Sequence, residues 1–159
     1  MKAIWQSIMI LVLGFSGLYS AEQEVVKKVV YNLTTGDVKQ LERRLIKGII
    51  AHTTYYQGKL EELDVRVVVH GDAYKFFMKD LNHTAYAYEP SLVEKKAELG
   101  KRLASLSKQY AVRFMVCEAG VIAKKLPKKA FYPFVSMVHN AAIGLIDAQN
   151  EGYAYLEVE

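Results

Sequence analysis

The residue best placed to do chemistry is the single cysteine, Cys117. It follows an apolar run, Val112-Arg113-Phe114-Met115-Val116, that reads as a buried strand. It precedes Glu118-Ala119-Gly120-Val121-Ile122-Ala123-Lys124-Lys125, which reads as the opening turns of a helix. A thiol where a strand ends and a helix begins faces backbone N–H groups that have no partner of their own. Such a setting favours thiolate, the nucleophilic form. The reading expects the sulfur at the open rim of a crevice. Free cysteine is also among the most buried residue types, so the same position suits an inert core thiol. Lys124 and Lys125 follow one to two turns on. They either draw an anionic sulfur species or an acidic partner, or form an ordinary solvated helix face.

His70 and His139 stand at two other strand ends, where either can serve Cys117 as a base or an orienting group. No Asn or Asp partner is assignable, so a protease-like triad is not read. Thr34-Thr35-Gly36-Asp37 occupies the place of a phosphate loop after the first strand, but it lacks a glycine-rich run and a lysine at Walker spacing. Nucleotide or flavin binding there is a third and weaker reading, and no cofactor is expected. A phosphoacceptor receiver needs clustered acids after its first strand, and Tyr31-Asn32 is no such pair. His52, His70, His83 and His139 show none of the short spacings of a zinc site, so no metal is expected.

The elements that would position these residues alternate. Lys28 to Leu33 reads as a strand and ends in the turn at Thr34–Asp37, with Asp37 as a helix cap. Val38, Leu41, Leu45 and Ile49 then recur at spacings of three and four, one face of a helix that stops near Gly58. Asp64 to His70 is nearly continuous in valine, as in a strand covered on both faces. A short helix over Tyr74 to Met78 and an irregular stretch from Leu81 to Pro90 follow. Ser91, with Glu94 three residues on, opens a long helix that buries Leu92, Leu99, Leu103 and Leu106. After the Cys117 strand, Phe131 to Val138 reads as a strand with Pro133 near its start. A helix from about His139 to Gln149 carries Ala142, Leu145 and Ile146, and Gly152 to Val158 alternates as a last strand. The order predicts a single three-layer α/β/α sandwich around a five-stranded, mostly parallel sheet, flavodoxin-like in type, with right-handed crossovers. In such a sheet, ligands collect at the C-terminal strand ends. Four loops share that edge: Thr34–Asp37, His70-Gly71-Asp72, Cys117-Glu118-Ala119-Gly120 and Val138-His139-Asn140. Candidate ligand contacts there are Thr34, Thr35, Gly36, Gly71, Glu118, Ala119, Gly120 and Lys124.

The first twenty residues read as a signal peptide: Lys2, an apolar stretch from Ile8 to Leu18, and a cleavage site at Ser20 before Ala21. The apolar stretch is short of the roughly 20 residues that span a bilayer. The expectation is a leader over 1–20 and one exported domain over 21–159, periplasmic or secreted, without stable membrane insertion once cleaved; an uncleaved chain would stay membrane-anchored. The 21 basic and 17 acidic residues give a net charge of +4, spread along the chain. A nucleic-acid binder would concentrate its basic residues in a stripe. One cysteine makes no internal disulfide and has no resolving partner within its own chain.

Four segments in order carry a resemblance: Val29-Val30-Tyr31-Asn32-Leu33-Thr34-Thr35-Gly36-Asp37; Val67-Val68-Val69-His70-Gly71; Val112 through Cys117-Glu118-Ala119-Gly120; and Gln149-Asn150-Glu151-Gly152-Tyr153-Ala154-Tyr155. Over essentially the whole mature chain the sequence resembles the DsrE/DsrF-like (DsrEFH) family of sulfur-relay proteins. The resemblance implies an α/β/α sandwich that assembles into homotrimers or hexamers. It also implies a cysteine, here Cys117, that accepts sulfane sulfur as a persulfide from a donor and passes it to a partner's thiol. Sulfur-donor and acceptor proteins, or small sulfur compounds, are the implied partners. Many family members have no shown activity, so a binding or assembly module with a structural cysteine stands as the alternative. Phe131, Tyr132, Phe134, Tyr153 and Tyr155 are candidates either for an interface or for the core.

Overall fold

The computed structural model describes residues 26–159. The leader expected over 1–20 lies outside the described residues. Strands β1 (Val26–Leu33), β2 (Glu62–Val69), β3 (Arg113–Cys117), β4 (Val135–Val138) and β5 (Ala154–Val158) form one sheet in the order β4-β3-β2-β1-β5. Every neighbouring pair is parallel. Helices cover both faces, which gives the three-layer α/β/α sandwich that the alternation predicts. The valine run of β2 sits where a two-sided cover demands it, with Val67, Val68 and Val69 wholly enclosed.

Alternation along the strands builds two cores. Val29, Tyr31, Leu33, Val65, Val67, Val69, Phe114 and Val116 belong to the larger one. They meet Leu41, Leu45 and Ile49 from the first helical stretch and Leu99, Leu103 and Leu106 from α3 (Pro90–Gln109). Val30 and Val68 face the other way, with Met115 packed beside them, and meet Ala148 of α5 (Ala141–Asn150). The first helical stretch runs α1 (Val38–Gln40), a π-wound segment (Leu41–Ile46) and α2 (Lys47–Gln57) without a break. Asp37 caps it by accepting from the Gln40 N–H at 2.8 Å. Its π-wound turn brings the adjacent Leu45 and Ile46 both inside.

Several local expectations are corrected. The stop at Gly58 itself holds: Gly58 caps α2, though in a right-handed conformation (φ −63°), and the left-handed residue lies beyond it at Leu60 (φ 59°). Helix α3 opens at Pro90, not at Ser91, with Glu89 as its cap and no side-chain cap bond. Proline's fixed φ suits a first helical position, and its missing N–H is one that would go unpaired there. Strand pairing of β4 begins only at Val135, while Phe131 makes an isolated antiparallel bridge to Met78. Pro133, which has no ladder donor, lies between the two. Helix α5 buries Gly144 and Ala148 and leaves Ala142 and Ile146 exposed. The reason is closeness. A Cβ on Gly144 would lie 3.2 Å from Val138 Cγ2 and 3.5 Å from Val68 Cγ2, so the helix comes closest to the sheet at Gly144, with Leu145 packed to the side. Phe131 and Tyr153 are buried, Tyr132 and Phe134 stack on one another half-buried, and only Tyr155 of the five aromatics is exposed.

Candidate functional site

The chain steps outward from β1 through β2 and β3 to β4, then returns past β1 to place β5. The short helix α4 (Glu118–Ala123) leaves β3 and packs Val121 into the larger core, whereas α5 leaves β4 for the opposite face. The two chain paths therefore diverge between the ends of β3 and β4, which is where open α/β sheets form their ligand crevice. Cys117 and Val138 are paired across that point. The Ala119 N–H donates to the His139 carbonyl at 3.1 Å and ties the two loops together.

Cys117 is the last residue of β3 and the N-cap of α4, in extended conformation, with no side-chain cap bond. The structure does not leave it on an open rim: the residue is 6 % exposed and belongs to the larger core. The cover includes Tyr74, from the 3-10 turn Ala73–Phe77 after β2. Its hydroxyl donates to the Cys117 carbonyl at 3.1 Å. The ring lies so close over α4 that a Cβ on Gly120 would meet the Tyr74 hydroxyl at 1.9 Å. Burial pushes the Tyr74 hydroxyl far above its ordinary pKa, and Cys117 beside it pushes in the same direction.

Neither histidine hydrogen-bonds Cys117 among the described residues. His70 Nε2 lies 2.7 Å from Asn32 Oδ1, and the Asn32 amide donates to Tyr155 Oη at 2.9 Å and Glu157 Oε1 at 3.1 Å. Burial lowers the His70 pKa, with Glu157 pulling the other way. His139 is exposed and bears on Glu118, whose carboxyl Lys128 holds below its ordinary pKa by a hydrogen bond.

The loops after β1 and β2 are laced to each other and to β5. The Thr34 and Thr35 N–H groups both donate to the Val158 carbonyl, at 3.0 and 3.3 Å. Thr35 Oγ1 accepts from the Asp37 N–H at 3.1 Å, and the Asp72 N–H donates to the Thr34 carbonyl at 3.1 Å. Gly71 holds φ +65°, and a Cβ there would lie 3.1 Å from the Thr34 carbonyl oxygen. Gly36 lies against Lys75: a Cβ on it would be 3.1 Å from Lys75 Nζ and 3.0 Å from Asp72 Cβ. Lys75 is buried and pairs with Glu89 at 2.6 Å, while Lys124 reaches Asp72 at 3.5 Å.

Tyr74 and Lys75 thus join the edge that the sequence reading built from Thr34, Thr35, Gly36, His70, Gly71, Cys117, Glu118, Ala119, Gly120, Lys124 and His139. The available signal was Gly120. A glycine in the first turn of a helix asks what large group lies over it. No cluster of His, Cys, Asp and Glu suited to a metal ion occurs among the described residues.

A model of the DsrE/DsrF-like family matches residues 28–158. Among curated proteins there is no match. Among solved structures the chain is similar to the protein of unknown function MTH1491 from Methanobacterium thermoautotrophicum, with 20% identity and a TM-score of 0.58, over 82% of this chain and 98% of that one. At that identity the likeness shows the fold alone.

Proposed function

The chain belongs to the DsrE/DsrF-like family, and from that premise we propose that it is an exported sulfur carrier, or sulfurtransferase, that takes sulfane sulfur on Cys117 as a persulfide. The observation that carries this reading is the place of Cys117, the chain's one cysteine, at the β3/β4 divergence with a tyrosine hydroxyl beside it. The chemistry is an exchange. The Cys117 thiolate attacks the outer sulfur of a donor, a new S–S bond forms, and the donor's S–S bond breaks with its electron pair on the leaving group. A partner's thiolate then attacks the terminal sulfur and restores Cys117. Intact-mass measurement after incubation with polysulfide tests the reading. A gain of about 32 Da per sulfur atom transferred, absent in Cys117→Ser, is expected; no gain refutes it.

One observation favours a second reading, a binding or assembly module with a structural cysteine: Cys117 is buried. Iodoacetamide separates the two. Alkylation of the native protein at a rate near that of the unfolded chain supports the carrier, and alkylation only on unfolding supports the module.

Export rests on the leader expected over 1–20, and a mature chain starting near Ala21 by mass spectrometry is the result that supports it. Among the described residues, no helix is long and apolar enough to cross a membrane. Assembly into a homotrimer or hexamer is supported by the outward face of α5, where Ile143 and Ile146 are 40 % and 56 % exposed on a helix with few charges.

A further inference from the structure

Tyr86 has no part in the sulfur exchange at Cys117. It is 6 % exposed, its hydroxyl is enclosed, and among the described residues that hydroxyl has no hydrogen-bond partner. An enclosed hydroxyl without a partner costs about 1–3 kcal/mol, so its retention asks for a purpose. Its surroundings are charged. Lys75 Nζ lies 5.9 Å from the centre of the Tyr86 ring and packs against Gly36. Burial raises the hydroxyl's pKa, the nearby Lys124 ammonium opposes it, and Asp72 and Glu89 push with burial. Tyr86 in turn bears on Tyr74, whose hydroxyl is bonded to Cys117. Asp72, Tyr74 and Lys75 come from one turn; Tyr74 reaches Cys117, Lys124 pairs with Asp72, and the Tyr86 ring stands by Lys75, so the hydroxyl and the ammonium groups gather around the turn that covers Cys117.

Both carboxylates in the cluster already face an ammonium. Glu89 holds Lys75 at 2.6 Å, and Asp72 meets Lys124 loosely at 3.5 Å with both side chains largely exposed. An exposed pair of that length is worth little, so Lys124 is free to change partners. A tyrosine O–H and two ammonium groups can supply donors to one ligand, and donors of this kind recognise an oxyanion.

We infer that Lys124, Lys75 and the Tyr86 hydroxyl form an anion subsite beside Cys117, which takes the oxyanion end of a small sulfane-sulfur donor of the thiosulfate class. The inference rests on Cys117 as sulfur acceptor and names the donor. Thiosulfate carries its sulfane sulfur on a sulfonate-like group. Cys117 thiolate forms a bond to the outer sulfur, the S–S bond of thiosulfate breaks, and sulfite leaves with the electron pair. The sum of charges is unchanged, and neither oxidant nor reductant is consumed. The subsite holds the oxygens of the departing sulfite, where negative charge gathers as the bond breaks.

The test uses sulfite, which binds without donating sulfur, on the full chain carrying Cys117→Ser, by isothermal titration calorimetry. Saturable binding is expected. It should weaken about tenfold with Lys124→Met, weaken severalfold with Tyr86→Phe, and tighten with Asp72→Asn, which frees Lys124. Tyr86→Phe removes only an unpartnered oxygen, and Lys124 is exposed, so both variants should fold; urea unfolding checks this. No binding at millimolar sulfite, or binding indifferent to all three substitutions, overturns the subsite. Loading of wild-type Cys117 from polysulfide, run alongside, reports on the carrier reading. Loading by polysulfide without sulfite binding sinks the subsite and leaves the carrier. Sulfite binding without loading by any donor leaves an anion site and sinks both the carrier and the assigned donor.

Discussion

Gly120→Ala puts the packing around Cys117 under a direct load. The new Cβ would stand 1.9 Å from the Tyr74 hydroxyl oxygen, 2.9 Å from Cζ and 3.3 Å from Cε2. The hydroxyl must retreat by more than an ångström, but Tyr74 is 1 % exposed and its ring meets Phe131 edge-on at 6.3 Å. Overpacking of this kind costs about 1–3 kcal/mol. The retreat also breaks the 3.1 Å bond to the Cys117 carbonyl and leaves a buried hydroxyl unpaired, at about 1–3 kcal/mol. Replacing glycine by alanine within a helix returns about 1 kcal/mol. The net expectation is a loss of about 1–5 kcal/mol, read as a lower urea midpoint at unchanged slope. Tyr74→Phe alone should cost only about 0.5–1.5 kcal/mol, because an N-cap carbonyl keeps its helical bond. In that background the clashing oxygen is gone, so the two substitutions should couple by at least about 1 kcal/mol. A Gly120→Ala protein within about 0.5 kcal/mol of the parent, or a strictly additive double variant, would refute the packing described around Cys117.

Three further outcomes follow from other parts of the molecule. Burial lowers the His70 pKa from its ordinary 6.5, so the unfolded chain takes up a proton before the folded one does. His70's contribution is therefore intact above about pH 6.5 and lost as the pH falls through the folded value; His70→Gln should flatten the unfolding free energy between about pH 7 and 5, and an unchanged slope counts against the burial argument. Gly71→Ala forces an L side chain to φ +65° against the Thr34 carbonyl, and should lower stability by about 1–3 kcal/mol in urea unfolding, with a neutral result refuting the strain. Ile146→Asp, on the exposed side of α5, should leave stability within about 0.5 kcal/mol but reduce the particle to a monomer in light scattering; a mass equal to the parent's refutes an interface on that face.

Where burial follows from local pattern, the sequence is a good guide. Leu41, Leu45 and Ile49, and Leu92, Leu99, Leu103 and Leu106, sit inside as their spacing requires, and the valines of β2 lie under two layers. The same reasoning serves less well for α5, where Gly144 and Ala148 take the buried side with Leu145 packed beside it, and Ile146 is exposed. Periodicity reports which residues share a face, but not how near that face comes to its neighbour. At the candidate site, the type of Cys117 and its strand-to-helix position were legible. Its cover was not, because Tyr74 lies 43 residues away and reaches it only through the fold. The contacts of Tyr86, Lys75 and Lys124 are hidden for the same reason: they join loops that only the parallel crossovers bring together.

Strand order also sets a schedule for the growing polypeptide. β1 is made before any other described strand, yet one of its two neighbours is β5, the last of them, and the carbonyl that receives Thr34 and Thr35 belongs to Val158 at the end of β5. Until β5 has been made, one flank of β1 stays bare and those two amides answer only to water. A nascent chain stalled before Ala154 would display that flank as a template for strand addition, so this protein's exposure to misassembly lasts until β5 emerges.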